Sequence, residues 1–236
     1  MAEFALNLEI DPQSLPFIRA AQERIILAKP VGGDSPNVVW QSFDPFGTNT
    51  VTWTEEFGLY ASDTQLVNGA AIRKISEQLL AEEERYYTFT PGAVFEGPYA
   101  DPRVGVGQYA AQNSMPVSSY PQLTFGLTQA AKVNNTPVPG RPLNAANVLP
   151  NRLVIFSPIT RVYVWLESNL ASSTVITQIL SNVAIVTYSG GITTRDLVYD
   201  PNTGMFMPKK PPGKKLADSA AAADEADTIL VRPLIW

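Results

Sequence analysis

The sequence predicts an all-β protein, an antiparallel β-sandwich of the jelly-roll or immunoglobulin-like kind, with one or two short helices and a C-terminal arm. Three observations predict it. Residues 153–200 hold short apolar or alternating runs at 153–156, 161–167, 183–188 and 197–199, separated by Ser-Pro, Ser-Gly-Gly and Asp-Pro-Asn-Thr-Gly, the pattern of strands joined by turns. Twenty prolines are spread from Pro12 to Pro233, and each removes a backbone donor, so few long helices fit between them. Of 236 residues, 45% are hydrophobic, enough to bury the core of one large β domain or two small ones. The body is assigned to residues 1–208, a Pro/Lys then Ala/Asp linker to 209–227, and an apolar arm to 228–236.

Residues 15–27 place Phe17, Ile18, Ala21, Ile25 and Ile26 near helical spacing, with Ser14 as a cap and Pro16 in the first turn. A strand over 24–28 competes, and a short helical turn running into a strand satisfies both. Residues 38–43 read as a strand, and Asp44-Pro45-Phe46-Gly47 carries the residues of a type I turn. Residues 51–60 then alternate, with Val51, Trp53, Glu55, Phe57 and Leu59 on one side and Thr52, Thr54, Glu56 and Tyr60 on the other. Together they predict a hairpin with Trp40 opposite or nearly opposite Trp53, a kind of pair worth roughly 0.2 to 1 kcal/mol.

Helix formers dominate residues 69–85, with Ile72, Ile75, Leu79 and Leu80 on one stripe; a strand over 70–75 followed by an acidic loop is the alternative. Glu82, Glu83 and Glu84 are adjacent and cannot converge on one ion in regular structure, so they read as a solvated face. Residues 86–103 are a short strand followed by turns, 123–128 a strand, and 134–142 a proline-rich loop. Gly105-Val106-Gly107 lacks the strand-to-helix setting of a dinucleotide fingerprint. In the strand at 161–167, Val162, Val164 and Leu166 face inward. Arg161, Tyr163, Trp165 and Glu167 face the other way, covered by another layer or offered to a partner. Residues 172–181 fit either period and are assigned to strand on their β-branched content. Asp200-Pro-Asn-Thr-Gly204 closes a hairpin between 197–199 and 205–207.

The formal net charge is -5 with 17% charged residues, and the main basic cluster, Lys209, Lys210, Lys214 and Lys215, lies in a Pro/Gly-rich segment. Binding to nucleic acid through phosphate neutralisation is therefore not expected. Histidine and cysteine are both absent, which removes the Ser-His-Asp triad, the Cys-His dyad, thiolate redox chemistry and the usual zinc ligands. No cofactor or metal is expected. Acids stand where a signal peptide would have bases, and no run approaches the roughly 18 apolar residues of a spanning helix, so a soluble, cytoplasmic protein is expected.

The residue types point to binding without catalysis. A lectin-like protein is expected, holding glycans through Arg161, Tyr163, Trp165 and Glu167, or through Trp40, Trp53 and Glu55 with Gln41, because aromatic rings cover sugar C–H faces while polar neighbours fix the hydroxyls. Each of these aromatics has an alternative fate in the core or an oligomer interface. A second expectation is a membrane-active or self-assembling β-rich protein, using the Thr/Ser-rich alternation at 48–54 and 172–182. A third is a carboxylate-only glycoside hydrolase drawing on Glu55, Glu56, Asp44 and Asp63, although Glu55 and Glu56 face opposite sides of one strand. The arm, through Ile229, Leu230 and Trp236, is expected to dock on its own body or on a neighbouring copy as a homo-oligomer contact.

Overall fold

The computed structural model describes residues 2–209 and the backbone of 230–233. Along the chain run β1 (Glu3–Glu9), α1 (Leu15–Ala20), β2 (Arg24–Ala28), β3 (Gln41–Phe43), β4 (Thr48–Thr54), β5 (Gly58–Ser62) and β6 (Lys74–Gln78). Then come β7 (Arg85–Phe89), β8 (Phe95–Ala100), β9 (Tyr109–Asn113), β10 (Leu123–Val133), β11 (Thr136–Pro142) and β12 (Ala146–Val148). The rest are β13 (Arg152–Phe156), β14 (Arg161–Glu167), β15 (Asn182–Thr187), β16 (Thr194–Asp200), β17 (Met205–Pro208) and β18 (Leu230–Pro233). The protein is thus nearly all β, as its prolines and short apolar runs predict. No helix among the described residues is long and apolar enough to cross a membrane.

The strands form three sheets. A nine-stranded sheet runs β17-β16-β1-β4-β10-β5-β6, with β11 and β12 also bonded to β10. A four-stranded sheet runs β13-β9-β7-β8, and a five-stranded sheet β18-β15-β14-β2-β3. The expected purely antiparallel pairing is corrected twice, since β1 runs parallel to β16 and β7 parallel to β9. The main core draws on all three sheets: Leu6, Leu8, Val51 and Leu127 come from the first, Phe89, Ala111 and Phe156 from the second, and Ile25, Leu27, Val162 and Val164 from the third. Period-two alternation explains which residues contribute. In β1, Leu6 and Leu8 are fully buried while Asn7 between them reaches Asp196 at 2.8 Å.

Residues 15–28 adopt both competing expectations in turn. Pro16 sits in the first turn of α1, Gln22 turns the chain at φ 57°, and β2 begins two residues later. The strand at 161–167 and the hairpin across residues 200–204 form as expected. The tryptophan hairpin does not. β3 pairs with β2, whereas the 51–60 run breaks at residues 55–57 into β4 and β5, which both lie against β10. Trp40 and Trp53 still meet, edge to face with centroids 5.6 Å apart, but across two sheets.

The helix expected over 69–85 is replaced by β6 and an exposed acidic loop, because pairing on the free side of β5 outweighs local helix preference. Residues 95–100, expected as turns, form β8. The proline-rich stretch at 134–142 is β11, entered through Asn134 and Asn135 at φ 49° and 65°. Its prolines are tolerated because β11 bonds to β10 alone. Residues 172–181 form no strand; Thr174 and Val175 make isolated bridges to Ala71 and Val38. This withdraws one of the two amphipathic strands expected of a membrane-active protein. At the C-terminal end, β18 adds to the edge of β15, from Ile185 opposite Leu230 to Asn182 opposite Pro233. Ile229, Trp236 and the expected linker beyond Lys209 lie outside the described residues.

Candidate functional site

The two aromatic patches expected to hold sugars are both inside the protein. Trp40, Trp53 and Lys29 are 0%, 3% and 1% exposed. The Lys29 ammonium lies 5.1, 5.3 and 5.9 Å from the ring centroids of Trp53, Trp40 and Phe57. It donates to Glu55 Oε1 at 3.1 Å and to Gln129 Oε1 at 2.8 Å. Trp53 Nε1 donates to the same Glu55 oxygen at 2.9 Å, and Trp40 Nε1 to the Gln129 carbonyl at 3.0 Å. Burial holds the Lys29 pKa below its ordinary value, with Glu55 opposing the shift. This is a cation enclosed by rings and tied to a carboxylate, and it leaves no ring face for a ligand.

On the far side of β14, Tyr163 and Trp165 are 3% and 1% exposed beneath Ile176 and Ile179, with which they form a second apolar cluster. Trp165 Nε1 donates to Glu167 Oε2 at 2.6 Å, Tyr163 Oη to the Asp34 carbonyl, and Arg161 pairs with Asp34 at 3.2 Å. The covering layer is an irregular segment, which strand periodicity does not foretell. The expected surface role of Trp40, Trp53, Tyr163 and Trp165 is therefore corrected: they are core.

The acids considered for hydrolysis are dispersed. Glu55 is held by Lys29, Asp44 pairs with Arg24, Asp63 is exposed, and Glu56 accepts a bond from Thr54 Oγ1. Glu56 does share a cleft of about 300 Å³ with Glu77, a residue the sequence did not single out. Glu77 is already neutralised by Lys74 at 2.6 Å.

A different cleft, of about 510 Å³, opens where edge strands of two sheets meet. The end of the five-stranded sheet contributes Arg24 from β2 and Ser42 from β3, β11 contributes Arg141, and residues 169–172 after β14 form the remaining wall. Arg24 is largely committed, with Nε donating to Ser42 Oγ at 2.8 Å, Nη2 to the Ser42 carbonyl at 3.2 Å, and Nη1 to Asp44. Arg141 is not. Its Nη1 donates to Gln41 Oε1 at 2.8 Å and to Ser172 Oγ, while its Nε and Nη2 bond to no other described residue. No carboxylate among the described residues pairs with it. Burial first, and the neighbouring charge of Arg24 second, hold its guanidinium below its ordinary pKa.

One further donor is spare in the cleft, and a second lies buried behind Arg141 outside its lining. Ser172 Oγ accepts from Arg141 and from the Ser42 backbone N–H at 2.8 Å, so its own proton is uncommitted. Gln41, fully buried, spends its oxygen on Arg141 and leaves Nε2 without a partner. With Arg24 already neutralised by Asp44, the unpaired charge of Arg141, its unspent N–H groups and the Ser172 hydroxyl make this a place for a negatively charged group. Sequence reasoning missed it because Arg24 and Arg141 are far apart in the chain and Arg141 lay in an assumed loop; only the register of β11 on β10 brings them together. Compared with family models, with curated proteins and with solved structures, the chain matches none of them.

Proposed function

We propose that this is a non-catalytic binding protein that holds an anionic group of its ligand between Arg24 and Arg141. The observation that carries the proposal is the half-buried Arg141 guanidinium, which lies beside a second cation and lacks a counter-charge among the described residues. Arg24 is paired with Asp44, so the charge left uncompensated in the cleft is that of Arg141, and an anion bound there supplies its missing counter-charge while gaining charge-assisted hydrogen bonds. The cleft between Glu56 and Glu77 supports hydrolysis less well, since one of its two carboxylates already has a lysine partner. The scaffold we take to be a β-sandwich in the broad sense, a reading supported by the inward faces of β1, β4, β2 and β14 meeting in one core.

The test is a thermal-shift titration with inorganic phosphate at constant ionic strength, on the wild-type protein and on Arg141→Met. A bound anion raises the midpoint according to its concentration over Kd, whereas general salting effects act on both proteins alike. The expected result is a phosphate-dependent rise in the wild type that is absent from Arg141→Met. Equal rises in the two proteins would overturn the proposal.

A further inference from the structure

Resting on that reading, we infer that the anion is carried by a saccharide, so that the cleft is a site for an acidic sugar bearing a carboxylate or a sulfate. Size is the first reason. At about 510 Å³ the cleft lies within the ~300–1,000 Å³ typical of small-molecule sites, and it exceeds what a bare oxyanion between two guanidiniums would fill. The second reason is the chemistry of the wall. No aromatic ring lines the cleft, so a nucleobase would find nothing to stack on, which disfavours a nucleotide, and a sugar here is held by its charge and hydroxyls without ring stacking. Instead residues 169–172 set two polar side chains, Asn169 and Ser172, on either side of Leu170 and Ala171. Asn169 is exposed, with its side-chain oxygen uncommitted and its amide nitrogen making only a 3.5 Å contact to Ser168 Oγ. Ser172 has a free hydroxyl proton. Ala171 is exposed and offers C–H surface, whereas Leu170 is partly buried against the second apolar cluster.

Such a wall suits a molecule that presents hydroxyls and C–H groups around one anionic substituent. The unspent edge of Arg141, Nε and Nη2, is a two-pronged donor of the shape that pairs with the two oxygens of a carboxylate or sulfate. Arg141 therefore anchors the charge, while Asn169 and Ser172 read the hydroxyls around it.

The experiment is calorimetric titration of the full chain with oligogalacturonate, with a carrageenan-derived oligosaccharide that carries sulfate and no carboxylate, with neutral maltohexaose and with inorganic sulfate. We expect one of the acidic oligosaccharides to bind at least about tenfold more tightly than sulfate, and maltohexaose not to bind, with the stronger arm telling carboxylate from sulfate. Asn169→Ala should weaken the saccharide about three- to tenfold and leave sulfate unchanged, since losing one neutral hydrogen bond is worth about 1 kcal/mol. Arg141→Lys, which keeps the charge but not the fork, should lose about tenfold for the saccharide, and it serves if Arg141→Met fails to fold. Saccharides binding no more tightly than sulfate, or Asn169→Ala weakening both equally, would overturn the saccharide inference while leaving the anion site standing. Binding of neither sulfate nor acidic sugars would overturn both.

Discussion

Lys29 joins the layers of this protein at a single atom. It follows β2 in the five-stranded sheet, yet its ammonium is held by Glu55, just past β4, and by Gln129 of β10 in the nine-stranded sheet. A buried ion pair often contributes less than an apolar replacement of the same shape, whereas removing one partner strands the other charge. Replacing both partners, Lys29→Met together with Glu55→Gln, is therefore expected to fall within about 1 kcal/mol of wild type or above it, and Glu55→Ala alone to lose about 3 kcal/mol in urea unfolding. That loss is set at the lower end because Gln129 still bonds to the ammonium. The pH dependence has a definite sign. Because burial lowers the folded pKa of Lys29 below its unfolded value of 10.5, the unfolded chain binds more protons between the two, and this contribution to stability rises with pH across that window. Tyr109, pushed up to about 12 by burial, acts oppositely: its contribution is present below pH 10 and is lost as pH climbs toward 12. Lys29→Met should abolish the rise and keep the fall, which urea midpoints from pH 8 to 11 will show. At this scale the alternation of Tyr163 and Trp165 against Val162 and Val164 was legible in the sequence. Whether the aromatic side met water was not, because Ile176 and Ile179 reach it from a segment without regular structure.

At the scale of elements, β10 and β11 show what a local pattern conceals. Three prolines in residues 136–142 suggest a loop, yet the preceding Asn134-Asn135 pair is the turn chemistry of a tight hairpin, where both central residues need positive φ. Asparagine tolerates that region, and β-branched residues do not. Asn135→Val is expected to cost about 1–2 kcal/mol in stability, and Asn135→Gly to be neutral or mildly stabilising, in chemical denaturation. Because Arg141 rides on β11, Asn135→Val should also weaken phosphate binding although it touches no ligand. The helix-like stretch at 69–85 errs in the other direction: its propensity was real, but a free strand edge on β5 captured Lys74–Gln78. β14 and the β16–β17 hairpin were legible because their alternation and turn residues agree with the pairing they adopt.

The architecture of the whole was the least legible, since its decisive pairings link distant parts of the chain. β1 bonds to β16 with Ala5 opposite Thr194, and β18 closes the side of β15. Ending the chain at Lys209 removes β18 and bares the backbone donors and acceptors that Asn182, Val183, Ala184 and Ile185 turn toward it. The expected result is a loss of about 1 kcal/mol for each ladder hydrogen bond removed, together with self-association through the bared edge, seen as a lower melting midpoint and increased light scattering. The parallel placement of β1 has a further consequence during synthesis. At about 5–20 residues per second, the ribosome releases the partner of Ala5 roughly 10 to 40 s after Ala5 itself, so β1 waits that long for its parallel neighbour. A nascent polypeptide stalled before Thr194 should thus carry a half-clothed ribbon of Leu6 and Leu8, a natural target for holding chaperones.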